Sequence, residues 1–138
     1  MQTHAAAINH SVQKRNPVIQ LVMGWGACAG GSVLGSIVAG ITGVAILATV
    51  LSLVGAVVAG HFLKSMVEEA KKVSNDDSIN PVLFYIPGVN QILSFLKVHG
   101  AVERARYARG VQTPAKPKWM YLIIPWYAIA ADLNDLAR

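Results

Sequence analysis

The sequence predicts an all-α integral membrane protein: a Gly/Ala/Ser-rich transmembrane helical hairpin followed by two proline-bent segments that re-enter the membrane or lie along its surface. Three observations predict this. Residues 16–63 carry no Asp, Glu, Lys or Arg. The chain is 54% apolar and 14% charged, outside the range of an ordinary soluble domain. Two later runs of aromatic and aliphatic residues each stop at a proline before an amphipathic pattern resumes. One helix over residues 16–63 would run roughly 70 Å, about twice the hydrocarbon core, so the segment is expected to turn back once.

Residues 1–16 read as a basic N-terminal arm, with His4, His10, Lys14 and Arg15 and no acidic residue. Lys and Arg beside a span favour retention on the cytoplasmic side, which is where the arm is expected to hold the N-terminus. His4 and His10 are spaced for no one-face helical metal pair. The apolar run behind the arm is too long for a secretory signal, so the first span is expected to remain in the mature protein.

Residues 17–63 make the hairpin. Pro17 suits a first helical turn, and the first helix is expected from Val18 to about Ala39. The stretch Gly40-Ile41-Thr42-Gly43 is the least helical nearby, and a second helix is expected from Val44 to about Leu63. Along the first helix Ala27, Gly31, Gly35 and Ala39 recur every four residues, and Gly24, Cys28, Ser32, Ser36 and Gly40 form a second thin row. The second helix repeats the spacing with Ala48, Ser52, Ala56 and Gly60. Lipid supplies no hydrophobic drive between helices, so small residues in the manner of a glycine zipper act by letting backbones approach closely. A hairpin that packs only on itself would explain the spacing; the two rows on the first helix also leave room for a second partner such as another copy. Cys28 is the only cysteine, which excludes an internal disulfide and fits inert packing. His61 is expected as an interfacial imidazole, with no carboxylate in the uncharged run to join it in a proton relay.

Residues 64–80 read as a polar helical joint. Glu68 and Lys72 form a favourable four-residue pair that extends the second helix for two or three turns into water, and Ser74 to Ser78 end it. Glu68 and Glu69 are adjacent and point in different directions, as on a solvated face.

Residues 81–138 read as a membrane-associated region with a weak internal repeat. Leu83-Phe84-Tyr85-Ile86-Pro87-Gly88-Val89 and Tyr121-Leu122-Ile123-Ile124-Pro125-Trp126-Tyr127 share the same device. After Pro87 the expected apolar positions are Val89, Ile92, Leu93, Leu96 and Val98; after Pro125 they are Ile129, Ala130, Leu133 and Leu136. Residues 80–98 are barely long enough to cross a bilayer and residues 119–131 are too short. A crossing by the first would also export Arg104, Arg106, Arg109, Lys116 and Lys118 against the positive-inside tendency. Two shallow insertions keep all charge on one side, with Trp119, Tyr121, Trp126 and Tyr127 at headgroup level. The rival is four spans, the last two short and tilted and kinked at Pro87 and Pro125. The five cations are expected to bind anionic lipid headgroups, to dock an acidic protein partner, or simply to anchor the topology.

No catalytic, cofactor or metal site is expected. The glycines lie inside an uncharged apolar run, not in a phosphate-binding loop; Cys and His lack ligand spacing; and Ser32, Ser36 and Ser52 have no His–acid pair to activate them. The net charge of +5 comes without a nucleic-acid fold signature, so no nucleic-acid partner is expected. The expected function is that of a non-catalytic structural or scaffolding subunit of a membrane assembly, as a homo-oligomer or within a larger complex. Its expected place is the inner (cytoplasmic) membrane with both termini cytoplasmic and anionic lipids as neighbours. One alternative is a small holin-like pore lined by Ser32, Ser36, Thr42, Thr49 and Ser52; another is a component of a secretion apparatus or lipid-containing viral shell.

Overall fold

A computed structural model describes residues 11–137. The readings made for His4, His10 and most of the N-terminal arm lie outside the described residues. Every regular element among the described residues is helical. Helix α1 spans Pro17–Thr42 and α2 spans Ile46–Ser74. These two, and no others described, are long and apolar enough to cross a membrane.

The ends of α1 follow from local chemistry. The Asn16 side chain accepts from the N–H groups of Val18 and Ile19, and Pro17 sits where its missing donor costs little. At the far end Gly43 adopts a left-handed φ of 71° and its N–H returns to the Ala39 carbonyl, so the helix runs past Ala39 to Thr42. Helix α2 ends on Asn75, left-handed at φ 51°, with Lys71 and Lys72 in the last turn opposite the negative end of the helix dipole.

The two helices pack antiparallel through backbone. A Cβ on Gly31 would lie 2.6 Å from the Leu51 carbonyl oxygen and 2.9 Å from Gly55 Cα; one on Gly35 would lie 2.7 Å from the Ala48 oxygen. Only glycine fits there. The line of approach on α2 runs through Ala48, Leu51 and Gly55, so it includes a glycine that the regular row Ala48, Ser52, Ala56 and Gly60 passes over. Gly60 itself faces Phe84 and Tyr85.

Above this junction the shaft of the hairpin turns large apolar side chains outward, among them Val33, Leu34, Ile37, Leu53, Val54 and Val57. Below it the arrangement reverses. The lower part of α2 contributes Leu63, Met66, Val67, Ala70 and Val73 to a buried core. Full burial of a side chain such as Leu63 is worth about 1.5–3 kcal/mol against exposure to water. Residues 64–80 are thus helical as far as Ser74, but this part of the helix is an axis for packing and is not surrounded by water.

The rest of the chain wraps that axis. A 3₁₀ turn, Pro81–Tyr85, leads through Pro87 and Gly88 into α3, Val89–Leu93, which continues through a π-helical turn, Ser94–Val98, into α4, His99–Ala108. An extended stretch follows, then α5, Lys118–Ile123, and α6, Pro125–Leu136. Both prolines therefore lie at breaks between helical pieces. The burial pattern after Pro125 matches the sequence, with Ile129, Ala130, Leu133 and Leu136 in the core. After Pro87 it matches only in part: Val98 is in the core and Leu93 packs against it, but Asn90 and Ser94 are 5% and 0% exposed, whereas Ile92 and Leu96 are 53% and 60% exposed.

The glycine approach gives a direct comparison. Gly31→Ala forces the hairpin apart, with an expected loss of about 1–3 kcal/mol. Gly30→Ala meets nothing within 4 Å and is expected to be neutral or mildly stabilising. Thermal unfolding of both variants in the same detergent checks this.

Candidate functional site

The candidate site is the junction where the C-terminal helices clasp the base of the hairpin. The Trp126 ring lies against Gly24, where any side chain on α1 would displace it, and its Nε1 donates to the Ala59 carbonyl at 3.0 Å. One buried indole thus touches both arms. The backbone of Phe84 and Tyr85 closes on Gly60 of α2, and the Tyr85 hydroxyl is 2.9 Å from His61 Nδ1. His61 is exposed at this level.

Beneath the clasp lies a buried polar lock. Arg106 is 2% exposed and Asp132 is fully buried. One guanidinium nitrogen, Nη1, reaches Asp135 Oδ2 at 2.7 Å and Asp132 Oδ1 at 3.3 Å; Nη2 donates to the Thr113 carbonyl at 2.8 Å, to its hydroxyl at 2.9 Å and to the Pro114 carbonyl at 3.2 Å. Asp132 Oδ2 accepts from the Tyr121 hydroxyl at 2.6 Å and the Lys116 backbone N–H at 2.8 Å. Arg106 therefore fixes the extended stretch before α5 as well as α6. Burial pushes the Asp132 carboxyl above its ordinary value, against the opposing pull of its donors and of Arg106. Burial, then the neighbouring carboxylate, drives the Tyr121 phenol well above its usual value.

A second lock ties the start of the chain to its end. Arg15 and Glu69 form an ion pair, and Glu69 also accepts from the Gln13 N–H. The Asn134 amide exchanges hydrogen bonds with the backbone of Arg15, accepting from its N–H at 2.7 Å and donating to its carbonyl. Glu69 is thus buried, where sequence reasoning placed it on a solvated face with Glu68.

The five cations read as one binding cluster are not equivalent. Arg106 is inside the protein and cannot meet a headgroup: its guanidinium is the partner of Asp132 and Asp135. Arg109 donates to the Leu136 carbonyl at 2.8 Å, near the end of α6. Lys116 is half-buried and Lys118 exposed, its ammonium 4.6 Å from the Phe95 ring centre. Exposed Arg104 meets Asp76 at 2.5 Å; the Ser78 hydroxyl, then its N–H and Arg104, hold the Asp76 carboxyl below its ordinary range.

The small-residue rows divide as well. Ala27, Gly31 and Gly35 meet α2, with Ala48 opposite Gly35. Ala39, Ser52 and Ala56 are half-buried. Gly24 and Cys28 lie at the clasp, whereas Ser32, Ser36 and Gly40 are exposed. The Ser32 and Ser36 hydroxyls return to backbone carbonyls four residues back, and so does that of Thr42. No three His, Cys, Asp or Glu among the described residues are grouped as metal ligands would be.

Comparison with protein-family models, curated proteins and solved structures finds no match to this chain.

The Arg106 lock has a pH signature. Because the folded value of Asp132 is raised, its contribution to stability is complete below the unfolded value and is lost as pH rises through the folded one. Arg106→Met removes the charge that tolerates the ionised carboxylate, with an expected loss of about 3–5 kcal/mol at neutral pH. The loss is expected to shrink on acidification, where Asp132 holds its proton. Unfolding of both proteins followed from pH 5 to pH 8 checks the trend.

Proposed function

We propose that this chain is a non-catalytic scaffolding subunit of a membrane-embedded assembly. The hairpin crosses the bilayer, and the C-terminal helices form a collar on one face. The observation that carries the reading is the apolar outer surface of the upper half. Gly31, Gly35 and Gly55 bring the two backbones together there, and large aliphatic side chains face outward, an arrangement that suits lipid and is unfavourable in water.

The dimensions support it. From Gly24 at the clasp to Gly43 at the turn, α1 rises roughly 28 Å, close to the ~30 Å of a hydrocarbon core. At the clasp the collar carries its own outward apolar groups, Val82, Ile86, Trp119, Leu122 and Ile123, as shallow interfacial segments would. The basic collar then belongs on the cytoplasmic face of an inner membrane, with residues 11 and 137 on that same side.

Assembly is supported by the thin row that nothing among the described residues covers. Ser32, Ser36 and Gly40 continue the line of Gly24 and Cys28 along α1, and a Cβ on Gly40 meets nothing within 4 Å. A neighbouring helix, from another copy or from a different subunit, fits there. The hydroxyls bonded to their own helix favour packing over the lining of a pore.

Purified protein in mild detergent or lipid nanodiscs, sized by light scattering, tests this. The wild-type chain is expected to run with further copies or a partner. Ser36→Leu and Gly40→Leu are expected to weaken that association about tenfold, within the 1–3 kcal/mol that overpacking costs. A strict monomer, or association unchanged in both variants, contradicts the proposal, and ion flux through liposomes would favour the pore.

A further inference from the structure

Beside the clasp, on the bilayer side, is a crevice of about 140 Å³ between the two arms of the hairpin and the Pro87-Gly88 turn. Cys28 and Ala56 form its helix walls, Pro87 and Gly88 one edge, and Trp126 and Asn90 complete it. Cys28 and Ala56 lie one helical turn beyond Gly24 and Gly60, towards the middle of the hairpin, so the Pro87 turn reaches about 6 Å deeper than the clasp.

Asn90 distinguishes this crevice from a packing defect. Its side chain is polar, yet the residue is only 5% exposed. Its Oδ1 accepts from the Gln91 N–H at 2.7 Å, and its Nδ2 donates to no group among the described residues. The Nδ2 atom keeps accessible surface on a residue that lines the crevice, so an acceptor seated there can reach it. The volume is small beside the roughly 300 Å³ at which pockets for compact ligands begin, and it suits part of a linear molecule.

We infer that the crevice seats a bilayer phospholipid, with a glycerol-ester carbonyl accepting from Asn90 Nδ2 and the adjoining chain against Cys28, Ala56 and Trp126. The ester zone lies at the boundary of headgroups and hydrocarbon, the depth at which the clasp stands, and ester carbonyls accept hydrogen bonds without donating any. The seated lipid becomes a third layer of the clasp, joining α1, α2 and the Pro87 turn. This inference rests on the proposed bilayer position of the hairpin.

The test uses the full chain with Trp25→Phe and Trp119→Phe, so that Trp126 alone emits, in vesicles of phosphatidylcholine brominated near the acyl carbonyl. Bromine seated in the crevice quenches Trp126 although the ring is buried. Ala56→Leu and Cys28→Leu fill the crevice from opposite helices, and both are expected to abolish most of that quenching. Asn90→Leu keeps the shape without the donor and is expected to weaken lipid retention about fivefold, the worth of one neutral hydrogen bond. Val54→Trp on the exposed shaft, added to the same background and read as the emission gained over Trp126 alone, must be quenched by bromine deeper in the chain if the hairpin is in the bilayer. Shaft quenching without Trp126 quenching, or Trp126 quenching unchanged by both filling variants, overturns the crevice and spares the hairpin. No shaft quenching overturns the bilayer position itself.

Discussion

The contact of Trp126 with both arms of the hairpin is the constraint from which the rest of the architecture follows. Its ring needs a glycine at position 24, and its N–H needs a carbonyl on α2, which Ala59 supplies. That single side chain fixes the height at which the C-terminal helices meet the hairpin. Beyond it and the neighbouring Pro87 turn, α1 and α2 have only each other among the described residues. Below it α2 becomes the axis of a conventional buried core.

The two halves obey different rules because their helices come together for different reasons. In the core, aliphatic side chains from α2, α4 and α6 exclude water, and the hydrophobic effect suffices. Along the shaft the aliphatic groups face outward, so attraction between helices must come from close backbone contact, which Gly31, Gly35 and Gly55 permit. The collar's polar locks fit this division. Arg106 and Glu69 lie below the clasp, each paired within the protein. A buried pair of this kind is weak evidence for net stability, but loss of one partner is costly, so the locks specify which segments must meet.

Much of this was legible in the sequence, because it depends on local chemistry. The uncharged run, the Asn16-Pro17 start, the Gly43 turn and the stop near Asn75 are all set within a few residues. The face of α1 that meets α2 was visible through its four-residue period. Pairings distant in sequence were not. Glu69 is solvated by every local criterion until Arg15 arrives from the other end of the hairpin, and Arg106 belongs to a basic cluster until Asp132 and Asp135 fold back on it. The line of approach on α2 was misread for a geometric reason: a regular row of small residues was present, but the crossing passes through Gly55 beside it. The pattern after Pro87 was legible only in part, with Leu93 and Val98 turned to the core and Ile92 and Leu96 away from it, because apolar periodicity shows which side is uniform and cannot show what covers each position.

The proposed membrane role depends on the turn at Gly43 and the collar lying on opposite sides of a bilayer. Single cysteines at Gly43, Lys72 and Gln112, each in a Cys28→Ala chain reconstituted in sealed vesicles with one orientation, measure this with a thiol reagent that does not cross membranes. A membrane hairpin predicts that Lys72→Cys and Gln112→Cys label from one face and Gly43→Cys only from the other. Labelling of all three from the same face, without detergent, would contradict it.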